Sequence, residues 1–239
     1  MTPYGITNWE KIKHICYTGN VKRKLKVGQF LNVYSPTWGF IDWEIVHLED
    51  EHFYVVAGHP VIYMPYDQPE SGLNNPEQTI DRVNHGSNHP FHNAIHKFLS
   101  SSSGVGKWWY SSTPFDVKPP QADIIPGFKY DLPEEFLTCV RSTSICHSTS
   151  KHDKYCVEKE TVKFFIPPEY FLVDYTSGSG KPFFNIKYKR EVPWWIEPIA
   201  RFDSHYVKCI TKDGDKEVVM ADALLGVMPS CRIGFGKNK

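Results

Sequence analysis

The chain has 239 residues, 41% apolar and 15% aromatic, with 27 basic side chains against 27 acidic ones. That is enough apolar material for one large β domain or two small ones, and the zero net charge lacks the basic footprint of a nucleic-acid protein. No run approaches the roughly 18–20 apolar residues of a membrane span, so neither nucleic acid nor membrane is an expected partner.

The opening, MTPYGITNWEKIKH, lacks the charged-then-apolar plan of a signal peptide, so a reducing, cytoplasmic setting is expected. The basic run from Lys22 to Lys26 is a solvated turn or edge. Strand-like runs then dominate: QFLNVYS, FIDWEIVHL, HFYVVAG and PVIYM in the first part of the chain, TVKFFI, YFLVDYT, FFNIKYK, HYVKCIT and KEVVMA in the second. They are short, rich in β-branched and aromatic residues, and separated by turn formers, which predicts an all-β sandwich or barrel. LEDEHF reads as a hairpin tip, and Asp213-Gly214 as a tight turn. The polar stretch 67–106 interrupts the strands as a long insertion. Within it, Pro90 starts a helix capped by Asn88 or His89, and Phe91, Ala94, Ile95, Phe98 and Leu99 form its core-facing stripe. His92 and His96 share a helix face, with His85 and His89 upstream, and are expected on its solvent side.

Six cysteines follow no disulfide framework. Cys139, Cys146, His152 and Cys156 carry zinc-ligand chemistry, but their spacings of six, five and three residues match no common zinc module. Free thiols are expected instead, with no metal and no cofactor.

Two turns suggest reactive chemistry. The strand HFYVVAG delivers His59 behind Ala57 and Gly58, small residues that leave room for a second side chain. Downstream, Thr176-Ser177-Gly178-Ser179-Gly180 places a serine between glycines at a strand-to-strand turn. An exposed hydroxyl beside inward-turned amides meets the needs of a nucleophile with an oxyanion hole.

Ser179-Gly180-Lys181-Pro182 resembles the Ser-Gly-x-Pro run around the nucleophile of chymotrypsin-like serine proteases, and Val55-Val56-Ala57-Gly58-His59 resembles the strand that presents their catalytic histidine. Pro60 and Ser177 depart from the secreted members' pattern, so the likeness is nearer the intracellular, often viral, polyprotein-processing branch. The resemblance implies two antiparallel six-stranded β-barrels with a long helical insertion, the first over 1–110 with the insertion at 67–106, the second over 111–239. It implies a serine endopeptidase acting on a peptide or polyprotein, in the host cytoplasm if viral. His59 would be the base, Ser179 the nucleophile, and Ser177, Gly178 and Ser179 the oxyanion hole. Asp116 would complete the triad, ahead of Asp123, Asp81 and Asp131. Val173, Asp174, Thr176 and His205 would line the substrate site.

Two other readings fit parts of the chain. LKVGQFLNVYS with DWEIVHLEDEHFYVV scans like an SH3-like or Tudor-type barrel, a non-catalytic binding or structural module. There Trp108-Trp109 and Trp194-Trp195 would line a groove, unless they are buried core; an inactive protease fold belongs to the same class. The same strands scan loosely like a thiol acyltransferase, but Asp42 stands where its histidine should be.

Overall fold

The computed structural model describes residues 7–76, 81–148, 157–169, 192–198 and 203–235. Strand outweighs helix, as the sequence predicts. A helix that the strand-dominated pattern hides comes first: α1 (Trp9–Tyr17). The Asn8 side chain caps it by accepting from the Lys11 amide at 2.9 Å, and Trp9, Ile12, Ile15 and Cys16 form its buried stripe. After α2 (Val21–Lys24), β1 (Phe30–Ser35), β2 (Gly39–Leu48) and β3 (His52–Ala57) form an antiparallel meander. Between β1 and β2, Ser35 Oγ accepts from the amides of Thr37 and Trp38, and Gly39 closes the turn at φ +69°, a conformation other residues rarely take.

A short β4 (Ile62–Met64) leads into the insertion, which holds α3 (Arg82–His85) and α4 (Ala94–Ser100). The expected helix begins later than the proline suggests. Asn93 is its cap, accepting from the His96 amide at 2.8 Å, and Pro90 lies in the preceding loop. Four of the five stripe residues, Ala94, Ile95, Phe98 and Leu99, are buried in the main core. The chain continues through a 3-10 turn (Pro120–Asp123), α5 (Glu134–Leu137), β5 (Val140–Arg141), the hairpin β6 (Thr143–Ser148) and β7 (Val157–Val162), then β8 (Phe164–Phe165). The last strands are β9 (Trp194–Pro198), β10 (Tyr206–Ile210), β11 (Lys216–Met220), β12 (Leu225–Val227) and β13 (Ser230–Gly234). The stretches YFLVDYT and FFNIKYK lie outside the described residues.

The larger sheet, a curled antiparallel half-barrel, runs β1-β2-β3-β13-β5, with β8 also on β13. The second sheet runs β11-β10-β9-β12-β4, and β6-β7 stands as a two-stranded sheet of its own. The described strands therefore do not divide into two closed six-stranded barrels at residue 110. The C-terminal β13 sits between β3 and β5 in the sheet of N-terminal strands, and the N-terminal β4 edges the sheet of C-terminal strands. Periodicity identifies a strand but not its partner, which is why this interleaving was not readable beforehand.

The main core lies on one face of the larger sheet. Trp43 packs on Phe136 at 5.3 Å, on Phe164 at 6.2 Å and on Phe128 at 6.5 Å between ring centroids. A smaller core of Val46, Val56, Ile145, Val162, Phe165, Trp194, Ile196 and Met228 gathers separately. Phe128→Ala should cost about 3–5 kcal/mol, because it opens a cavity among rings that cannot collapse. The exposed Phe40→Ala should cost under about 0.5 kcal/mol. Urea unfolding of the two variants checks the contrast.

Candidate functional site

His59 lies on the turn after β3, exposed, and makes no hydrogen bond or ion pair among the described residues. The small residues before it allow close backbone packing. The Gly58 amide donates to the Asp42 carbonyl at 2.6 Å, and a Cβ at Gly58 would sit 3.0 Å from that same oxygen. Ala57 is fully buried and its amide donates to Pro229.

Asp116 is not directed at an imidazole. Its Oδ2 accepts from Lys97 Nζ at 2.8 Å and from the Ser112 amide at 2.7 Å, and its Oδ1 from Thr113 Oγ1 at 2.6 Å. These bonds outweigh its partial burial and hold its carboxyl below the usual carboxylate range. The Lys97 side chain is only 1% exposed and lies over the rings of Trp109, at 5.5 Å, and Tyr110, at 5.2 Å. Asp116 thus neutralises a buried ammonium. Asp123 pairs with Lys118, Asp131 accepts from Thr37 Oγ1 at 2.8 Å, and Asp81 precedes α3 in the left-handed conformation. None of the four acids is hydrogen-bonded to His59.

Ser177, Gly178 and Ser179, and with them Val173, Asp174 and Thr176, lie outside the described residues. His205 is buried against His85, with rings 5.5 Å apart, and against Tyr206 at 4.3 Å, beneath the insertion. Of the zinc-type residues, Cys139 is buried, donates to the Glu135 carbonyl at 3.0 Å, and has its thiol pushed up to about 12 by burial. Cys146 is exposed, and His152 and Cys156 lie outside the described residues. No cluster of three or more His, Cys, Asp or Glu able to hold a metal ion occurs among the described residues. Trp108, Trp194 and Trp195 are buried in the cores, not aligned along a groove.

The arrangement with the most chemical content lies elsewhere, in a cleft between the insertion and the β6-β7 hairpin. Its cavity volume is about 30 Å³, and it is open to solvent. Phe91, His96 and Leu99 line one wall, Ile145, Val162 and Phe165 the other, with Tyr66 between them. Asn93 shapes the histidine loop, donating from Nδ2 to the carbonyls of His89 at 2.7 Å and Pro90 at 2.9 Å.

Two histidines of the insertion meet two glutamates of β7. His89 Nε2 lies 3.3 Å from Glu158 Oε2, and His96 Nε2 lies 3.4 Å from Glu160 Oε2. His89 Nδ1 accepts from the Phe91 amide at 3.3 Å, so its Nε2 carries the proton and donates to Glu158. Partial burial and the neighbouring Glu158 push the Glu160 carboxyl up. Ser100 Oγ stands 3.5 Å from His96 Nε2, the same nitrogen that faces Glu160. A Ser-His-acid relay needs one partner on each ring nitrogen, so this trio is not a hydrolytic triad. No family model, curated protein or solved structure matches the chain.

The carboxylates around Lys97 generate opposite expectations. Asp116→Ala should cost about 3–5 kcal/mol, because it strands a buried charge, whereas a mere triad acid would leave stability unchanged. Chemical denaturation above pH 5 checks this; the contribution should fade as pH falls through the depressed carboxyl. Asp67 is the reverse. Burial pushes its carboxyl up to about 7, with Lys97 pulling it down and Asp116 pushing it up. The folded chain keeps a proton that the unfolded chain releases near 3.8, so stability is lost as pH rises from about 4 to 7. Asp67→Asn should therefore raise the Tm at pH 8 and leave it nearly unchanged at pH 4.

Proposed function

We propose that this chain is a non-catalytic, β-rich binding module, and that the cleft between α4 and the β6-β7 hairpin takes an aromatic or branched side chain of a peptide. The observation that carries this is the cleft itself: largely apolar walls with the polar His96 among them, its Nε2 3.4 Å from Glu160 Oε2. Concave apolar sites with a few placed polar groups are where ligands bind. The commitment of Asp116 to Lys97 adds support, since it takes the foremost acid away from a hydrolytic role. N-acetyl-phenylalaninamide, titrated into the labelled protein, should shift the Ile145 and Val162 methyl resonances and the His96 ring signals in a saturable way. Ile145→Asp should abolish those shifts. Saturable shifts confined to another face, or none up to tens of millimolar, would contradict the proposal.

A second reading is the serine endopeptidase on a chymotrypsin-like frame, with His59 and Ser179 as its reactive pair and a peptide or polyprotein as its substrate. One observation favours it: the His59 ring is exposed on a tight turn, where a second side chain can reach it. A fluorophosphonate probe separates the two. Covalent labelling at Ser179 that vanishes in His59→Ala supports the protease. An unlabelled, folded chain supports the binding module.

A further inference from the structure

One rung of side chains crosses four strands on the face of the larger sheet that is turned away from the main core. The register sets Arg141 of β5 opposite Arg232 of β13, Arg232 opposite Tyr54 of β3, and Tyr54 opposite His47 of β2. Directly opposed residues share a sheet face, so two guanidinium side chains stand next to each other at one end of the rung. Cys231 and Ile233, on the other face of β13, enter the main core. The next rung pairs Gly234 with His52. A Cβ on Gly234 would lie 2.9 Å from His52 Cβ and 3.6 Å from Arg141 Cγ, so His52 and Arg141 come together over the bare glycine. The Arg141 guanidinium lies 5.8 Å from the Phe235 ring centroid, and Lys13 Nζ lies 5.1 Å from the same centroid.

Arg232 is the residue that the fold leaves unanswered. It is half-buried, and its Nε is shut away from solvent with no acceptor. Its guanidinium makes no hydrogen bond or ion pair among the described residues. Like charges opposed across strands are destabilising, and a buried donor on a charged group is costly without an acceptor. The acids of the β2-β3 turn are placed elsewhere. Glu49 lies 3.0 Å from His52 Nε2, Asp50 lies 3.2 Å from Lys22 Nζ, and Glu51 is exposed at the tip.

We propose that the Arg141–Arg232 end of this rung binds a phosphate group, free or as a monoester. Guanidinium forks match the oxygens of phosphate in pairs, and a dianion answers two cations where a carboxylate answers one. The rings of His52 and His47 lie 5.9 Å and 6.0 Å from that of Tyr54, which sets aromatic surface beside the guanidiniums for the organic part of an ester. The site uses none of the residues that line the cleft, so it stands or falls independently of the binding-module reading.

Inorganic phosphate, titrated into the isotope-labelled full chain at constant ionic strength, should shift the Arg232 Nε–Hε signal saturably in the millimolar range. Phenyl phosphate in parallel separates the two sources. Binding about tenfold tighter or more assigns the site to a monoester, and equal binding assigns it to free phosphate. Arg232→Lys keeps the charge but loses the fork, and should weaken phosphate about tenfold. Lys212→Gln, an exposed cation in the turn between β10 and β11, should leave the affinity unchanged. Stability separates a binding residue from a structural one. Arg232→Met keeps an apolar stem, so its Tm should equal or exceed that of the parent chain without phosphate, and fall below it once phosphate saturates the parent. No saturable shift at Arg232 up to tens of millimolar phosphate would overturn the site. Equal weakening in Arg232→Lys and Lys212→Gln, or a Tm that drops in Arg232→Met without phosphate, would also overturn it.

Discussion

Strand β13 is hydrogen-bonded along both edges, to β3 on one side and to β5 and then β8 on the other. Cys231 and Ile233 put their side chains into the main core from this position. With β13 removed, β3 becomes an open edge and the segment 140–165 loses its anchor. The β6-β7 hairpin would then have no root, and the cleft no second wall. One five-residue strand from the end of the chain thus fixes the N-terminal meander and positions the candidate site.

The insertion supplies the other wall, and it is held by charge as well as by packing. Lys97 points inward from α4 to Asp116 and two aromatic rings, while Phe98 and Leu99 enter the main core. A buried ammonium gains little by being buried, but removing its partner is costly. The pair therefore fixes which way α4 faces. His96, one residue before Lys97, consequently faces the hairpin. At the far side of the insertion, Asn88 donates to the carbonyls of Asp203, at 2.7 Å, and Tyr206, at 2.9 Å, which ties the insertion to the second sheet.

Local pattern made part of this legible in the sequence. The meander β1-β2-β3 follows alternating bulk bounded by turn residues, and β10 and β11 flank the expected Asp213-Gly214 turn, within a loop of 211–215. The stripe of α4 was readable from its period, although the Asn93 cap displaced its start. Helix α1 left a signal in Asn8 and in the spacing of Trp9, Ile12, Ile15 and Cys16, which strand-dominated neighbours obscure. The hairpin was harder to read. Thr143 to Ser148 is polar, with Ile145 its one large apolar contribution to a core, and the cysteines and histidines suggested ligand chemistry. The candidate site was least legible. His89 and His96 gain their meaning from Glu158 and Glu160, and Asp116 from Lys97, through tertiary contacts that no local spacing encodes.

The central claim is that the two halves of the chain fold as one interleaved unit through β13, with the cleft as a consequence, rather than as sequential barrels. Expression of residues 1–110 alone tests it most directly. Without β13 the meander keeps an open edge and lacks Phe128, Phe136 and Phe164 from its core. The fragment should give a collapsed amide spectrum and no cooperative melt. A dispersed spectrum with a sharp thermal transition would contradict the account and return the chain to two independent barrels.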